Sequence, residues 1–213
     1  MSFMKKGTEK EKGPNRFVAS ARELHNLRSL TMIGMLLALR IALGFVATIR
    51  ITEHIKIGFS IFPTSILCMM FGPVAGGIAG GVADLVGFFL KPSGAFFPGY
   101  TLDCVVAGMI YGYSFYKREK ITPLRVVLTL LCVTVFVNLC MTTTWISFQI
   151  SVKSIGAIFV DPVGTAHAFA AKFLALLPAR ALKNFIMLPI NSVLVYLVLN
   201  LVRKLKPERL LRG

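Results

Sequence analysis

The sequence predicts an all-α integral membrane protein with six transmembrane helices and both termini in the cytoplasm. Three observations carry that expectation. Hydrophobic residues fill 55% of the 213 positions and charged residues only 15%, whereas a soluble domain is roughly 45–50% apolar and about 25% charged. Six apolar stretches, each near the roughly 20 residues a helix needs to cross a bilayer, occupy more than half of the chain. The basic residues gather at three sites that share one side of a membrane if the spans alternate. A transmembrane barrel would need alternating strands of about ten residues, and the pattern is absent.

The chain divides into a basic cytoplasmic segment (1–28), a membrane domain (29–203) and a basic cytoplasmic tail (204–213). Residues 17–28 are expected to form a short amphipathic helix on the inner surface. The spans then follow as 29–49, interrupted by Arg40; 57–71, with Pro63; 72–90, with Asp84; 100–116, with Asp103; 126–150, without a charge; and 180–202, with Arg180 and Lys183 near its start. Helices satisfy their own backbone groups, which lipid cannot do. Loops near 50–57, 91–99 and 151–179 fall outside, and turns at 71–73 and 117–125 inside. The 151–179 loop is long and half apolar, so it should fold against the bundle. The basic N-terminus meets its first apolar run near Ser29 with no small-residue cleavage signal, which reads as a span and not a signal peptide.

The net charge is +15, from 24 Lys and Arg against 9 Asp and Glu. In a soluble protein this would point to nucleic acid. Here sixteen of the 24 basic residues lie in 1–30, 117–125 and 203–213, which is the positive-inside distribution. Nucleic acid is therefore not an expected partner; the lipid bilayer is. Cys68, Cys104, Cys132 and Cys140 all lie in apolar stretches without a C-x-x-C pair. They read as free thiols acting as small hydrophobes, with no metal site and no disulfide framework.

An ionisable residue inside a span is expensive and faces the bundle interior or a water-filled cavity. Two readings of Arg40 and Asp84 stand: an internal pair that fixes packing, or the lining of a polar ligand cavity. In the sixth span Pro178 is placed like a first helical residue, and Arg180, Lys183 and Asn184 follow at i, i+3 and i+4. Asn191 returns to the same face. Free N–H groups at a helix start together with two cations would make an anion site; the competing reading is snorkelling to lipid phosphates.

The run Lys91-Pro-Ser-Gly-Ala-Phe-Phe-Pro-Gly-Tyr-Thr101 is a compact turn carrying Phe96, Phe97 and Tyr100. These aromatics suit either an interfacial belt or a lid over a flat ligand, and Trp145 admits the same two roles. Asp103, in the first turn of its span, reads as a helix-dipole partner. Gly72, Gly76 and Gly80, with Gly77 and Gly81, form rows that let helices approach closely. In the first span Ala38 and Ala42 are spaced A-x-x-x-A. Arg40 lies about 200° around the helix from each, so an inward Arg40 leaves the alanines facing out as a docking surface. No G-x-x-x-x-G-K-[ST], H-E-x-x-H or G-x-S-x-G occurs, and the three histidines lack metal-ligand spacing. Neither an enzyme nor an ATP-binding site is expected.

The run Ala38-Leu-Arg-Ile-Ala-Leu-Gly-Phe45, the turn Phe71-Gly-Pro-Val-Ala-Gly-Gly77 and Ala83-Asp-Leu-Val-Gly-Phe-Phe89 resemble the substrate-binding S components of energy-coupling factor (ECF) vitamin transporters. The 91–101 run and Leu176-Leu-Pro-Ala-Arg-Ala-Leu-Lys-Asn184 resemble the folate-specific branch of that family. The similarity spans roughly residues 28–203; the 150–170 stretch is less typical. The resemblance implies a six-helix, multi-pass subunit of a bacterial cell membrane that captures folate from outside. It implies no cofactor, with ATP used only by two cytoplasmic ATPase subunits that carry a membrane coupling (T) subunit. The T subunit docks on the A-x-x-x-A face, here Ala38 and Ala42. For a folate ligand, Phe96, Phe97, Tyr100 and Trp145 are candidates for the pterin walls and Asp84 for its hydrogen-bond acceptor. Arg180, Lys183 and Asn184, with Arg40 or Lys56, are candidates for the glutamate tail. The alternatives are an S component for riboflavin or thiamin, or a stand-alone secondary transporter. Thiamin is cationic, which the clustered basic residues disfavour. Secondary transporters are commonly built from repeats, and no repeat is visible.

Overall fold

The computed structural model describes residues 16–46, 48–50, 56–92, 96–118, 121–151 and 162–204. Helix α1 (Arg16–Glu23) is amphipathic, burying Ala19 and Ser20. After a turn the chain enters α2 (Leu27–Val46), an apolar helix with little of its surface buried in the protein, as befits contact with lipid. The expected inner-surface helix thus closes at Glu23, and the first span begins at Leu27.

Strands β1 (Thr48–Arg50) and β2 (Lys56–Gly58) pair antiparallel, with Thr48 opposite Gly58 and Arg50 opposite Lys56. β-branched residues dominate this stretch and favour extended backbone. The hairpin is the one piece of paired strand among the described residues, and it delays the next helix to Ile61.

Helix α3 (Ile61–Leu90) is broken at Gly72, whose φ of 86° only glycine adopts freely, and Pro73 follows at once. A Cβ on Gly76 would lie 2.6 Å from the Cys68 thiol. An unbroken helix would put about 12 Å of rise between those residues, so the chain turns sharply at Gly72. The expected boundary between spans 57–71 and 72–90 is this break.

Helix α4 (Pro98–Phe115) opens with a proline, which costs no backbone bond at a first turn. It packs on α3 backbone to backbone: a Cβ on Gly76 would lie 2.8 Å from the Gly108 carbonyl oxygen. The next stretch, uncharged after Arg125, forms α5 (Pro123–Cys132), a π-helical segment (Val133–Met141) and α6 (Thr142–Ser151) without interruption. The wider π turns shift which side chains face the core.

The last element differs from the expectation. Helix α7 runs from Pro162 to Lys204, 43 residues, with Pro178 and Pro189 inside it. Residues 162–179 are therefore helix and not a folded loop. Pro162 starts the helix, and Pro178 does not. The physical reason is composition: the stretch before Pro178 is rich in Ala and Leu, the strongest helix formers. Membrane helices tolerate interior proline because neighbours re-satisfy the freed backbone.

Four segments are long and apolar enough to cross a membrane: Leu27–Val46, Ile61–Leu90, Pro123–Phe148 and Phe169–Lys204. One buried cluster joins Cys68, Tyr111, Phe115, Val126 and Leu199, while a second holds Ile33, Leu67, Phe71 and Ala75.

Candidate binding site

Polar side chains from α2, α3, α4, α6 and α7 converge around the N-terminal half of α4. Asp103, only 7% exposed, is the centre of one group. Its Oδ2 accepts from Thr142 Oγ1 at 2.7 Å and its Oδ1 accepts from Trp145 Nε1 at 3.0 Å. The expectation of a helix-dipole partner in the first turn does not hold: α4 starts at Pro98 and has no acid in its first turn. The carboxylate instead ties α4 to α6. Next to it, Arg180 Nη1 donates to Thr143 Oγ1 at 3.2 Å. A guanidinium has several N–H donors in a rigid fork, so this contact orients Arg180 and leaves donors for a ligand.

A second group forms on the α3 side. Thr101 Oγ1 donates to Asp84 Oδ2 at 2.7 Å, and the Cys104 thiol points to Asp84 Oδ1 at 3.8 Å. Arg40 approaches the same Cys104. Arg40 and Asp84 therefore meet around Cys104, at one polar site within the bundle.

Above both groups lies an aromatic cluster. Phe97 sits 5.6 Å from Trp145 and 5.8 Å from Tyr100 between ring centroids, and Phe148 closes it at 6.4 Å. The cluster depends on a glycine: a Cβ on Gly99 would come within 2.7 Å of the Trp145 indole. Phe96 points elsewhere, packing on Phe88 at 5.1 Å.

The structure thus brings together Arg40, Asp84, Phe97, Tyr100, Trp145 and Arg180. Besides Phe96, two candidates on α7 stand apart from them. Lys183 is exposed, Asn184 beside it is half-buried, and neither stands at a helix N-terminus, because α7 began about six turns earlier at Pro162. Helix N–H groups at this point of α7 are therefore not free to bind an anion, and the cation turned into the cluster is Arg180 alone. Lys56 pairs with Arg50 in the hairpin. On α2, Ala38 and Ala42 are exposed while Arg40 is half-buried, so the small-residue face does point away from the polar site.

Sequence reasoning passed over Gly99, Thr101, Cys104, Thr142 and Thr143, and gave Asp103 a local role. The run Thr142-Thr143-Thr144 immediately before the single tryptophan was the available signal. Hydroxyls grouped in an otherwise uncharged span need partners, and buried acids supply them.

A family model described as the substrate-specific component of ECF transporters matches residues 28–199. A folate transporter, FolT, of Clostridium novyi is 34% identical over 176 residues, covering 82% of this chain and 91% of the relative. A second, from Leuconostoc mesenteroides subsp. mesenteroides, is 27% identical over 173 residues, covering 81% of this chain and 85% of the relative. Among solved structures, FolT bound with folic acid matches with a TM-score of 0.62 at 34% identity, covering 81% of this chain and 91% of that one.

Proposed function

The chain belongs to the family of substrate-specific components of ECF transporters, and from that premise we propose that it is the folate-binding subunit of an ATP-driven importer. The observation that supports the reading most directly is the meeting of Arg180, an aromatic cluster and two half-buried or buried acids around α4, in a chain 34% identical to a protein solved with folic acid.

Thr101 and Cys104, which hold Asp84, lie roughly 160° and 100° around α4 from Asp103. Asp84 and Arg180 therefore flank α4 on different sides, about a helix diameter apart. An elongated ligand with donors at one end and carboxylates at the other fits that span. In this arrangement Asp84 accepts from the pterin, Phe97, Tyr100 and Trp145 cover the flat rings, and Arg180 binds a tail carboxylate in its fork. Asp103 is a positioning residue that aims Trp145. Arg40 adds a polar contact beside Asp84 and Lys56 is a second candidate for the tail, whereas Phe96, Lys183 and Asn184 stand outside the cluster and contribute only at longer range.

The subunit crosses the cell membrane six times, counting α3 as two spans and α4 as one, with both termini cytoplasmic. It carries no ATPase of its own. Release requires docking of the Ala38–Ala42 face on a coupling subunit that sits on two ATPases. The test is calorimetric titration of the detergent-purified chain with folate, riboflavin and thiamin. One-to-one folate binding without ATP is expected. A folded sample that binds riboflavin or thiamin and not folate overturns the substrate assignment.

A further inference from the structure

A groove of about 480 Å³ opens on the flank of the bundle between α4 and α5. Its walls are Phe17 of α1, Met109 and Tyr113 of α4, and Leu128 and Cys132 of α5, with Arg125 at one end. These apolar walls are exposed, Tyr113 at 56% and Leu128 at 55%. From Arg125 to Cys132 the groove runs about 10 Å along α5.

Its basic end is more than one cation. Arg16 donates from Nη1 to the Tyr113 carbonyl at 2.9 Å, with its guanidinium 5.5 Å from the Tyr113 ring centroid. Arg118 is exposed three residues past the end of α4, at the same end of the groove as Arg125. Partial loss of water and the charges of Arg16 and Arg125 push its guanidinium below its ordinary value. Glu119 and Lys120 lie outside the described residues.

Three guanidinium groups gathered at one end of an apolar, lipid-facing slot repel one another and leave hydrocarbon-lined space beside them. A phosphodiester relieves the first condition and its acyl chain fills the second. A soluble anion would leave the apolar walls empty. A basic pocket between membrane helices is a general form of lipid-headgroup site. We propose that the α4–α5 groove holds an acyl chain of an anionic phospholipid whose phosphodiester is bound by Arg16, Arg118 and Arg125. The site is distinct from the polar cluster around Asp103 and does not depend on the identity of the transported ligand.

The test is native mass spectrometry of the full chain in mild detergent, titrated with phosphatidylglycerol or phosphatidylcholine. One phosphatidylglycerol should stay bound at activation energies that strip phosphatidylcholine. Arg118→Gln with Arg125→Gln should lower its occupancy at least fivefold. Leu128→Trp, which fills the groove and keeps every charge, should do the same. Glycerophosphoglycerol, the headgroup without chains, should not displace the lipid. Equal retention of the two lipids overturns the proposal, as does displacement by the headgroup alone. Unchanged occupancy in Leu128→Trp overturns it too, because the attraction would then lie at the surface and not in the groove. Circular dichroism checks that each variant is folded. If the double variant does not fold, Leu128→Trp and Arg118→Gln alone decide.

Discussion

The indole N–H of Trp145 donates to Oδ1 of Asp103 at 3.0 Å, across the contact between α6 and α4. The other carboxylate oxygen holds Thr142. One buried acid thus sets both the rotation of α6 and the plane of the ring that faces Phe97. Trp145→Phe keeps an aromatic ring and deletes the donor. Hydrogen bonds to charged groups are worth about 1.5–3 kcal/mol, so calorimetry should show folate affinity falling by about tenfold or more. Asp103→Leu should cost more, since it strands two donors, and Asp103→Asn should recover part of the loss. Trp145 is the chain's single tryptophan, so folate should quench intrinsic fluorescence in the wild type and scarcely at all in Trp145→Phe. Equal affinity in the two proteins would remove the indole from the site.

Arg180 and Lys183 are one turn apart on α7, yet only Arg180 is turned into the polar cluster. Arg180→Ala should weaken folate binding by roughly 10- to 100-fold, the range for a lost charge-assisted contact. Lys183→Ala should change it by less than about threefold, as an exposed cation contributes little. Pteroate, which lacks the glutamate tail, should bind wild type and Arg180→Ala alike. If Lys183→Ala proves the more damaging, the tail binds on the exposed face of α7 and the assignment of Arg180 is wrong.

The apolar helices were legible because lipid forces the signal: a helix must carry about 20 apolar residues to cross, and four segments of the described residues do. Gly72-Pro73 was legible for a local reason, because a positive φ needs glycine and a following proline cannot continue the ladder. The rest was lost where meaning depended on contacts distant in sequence. Pro178 looks like a helix start by the rule that holds in water, and only packing within the bundle lets α7 continue through it. Asp103 looks like a helix-dipole group until α6 places Thr142 and Trp145 against it, 39 and 42 residues away. The possible pairing of Arg40 with Asp84 was readable from their places inside spans; the contacts that tie Asp103 to α6 were not.

Ala38 and Ala42 are exposed on α2 while Arg40 is half-buried behind them. Small residues let a second helix approach closely, so bulk on that face should block it. Ala38→Leu with Ala42→Leu should leave folate affinity within about twofold of wild type. The pair should abolish ATP-dependent folate uptake and co-purification with the coupling subunit. Uptake at the wild-type rate would place the docking face elsewhere. Uptake that persists without any ATPase subunit would favour a stand-alone transporter.

Ser20 of α1 caps a helix that is not its own. Its hydroxyl donates to the Phe71 carbonyl at 2.6 Å and accepts from the Val74 and Ala75 amides at 3.1 and 3.2 Å. Those amides begin the second half of α3, where helix N–H groups have no partner of their own. The Gly72 turn packs directly against α1: a Cβ there would lie 2.8 Å from the Ser20 Cβ. Ser20→Ala should cost about 1 kcal/mol, as for other lost caps, and lower the melting temperature by roughly 2–4 °C. Gly72→Ala should cost more, since the left-handed backbone adds about 1–2 kcal/mol to the clash. Both variants lie far from the Asp103 cluster, so folate affinity measured on the folded fraction should stay within about twofold. The order Gly72→Ala worse than Ser20→Ala is the discriminating result, because the glycine is required by the backbone and the serine only by two amides. Equal melting temperatures for wild type and Ser20→Ala would mean that other groups satisfy those amides once α1 lets go.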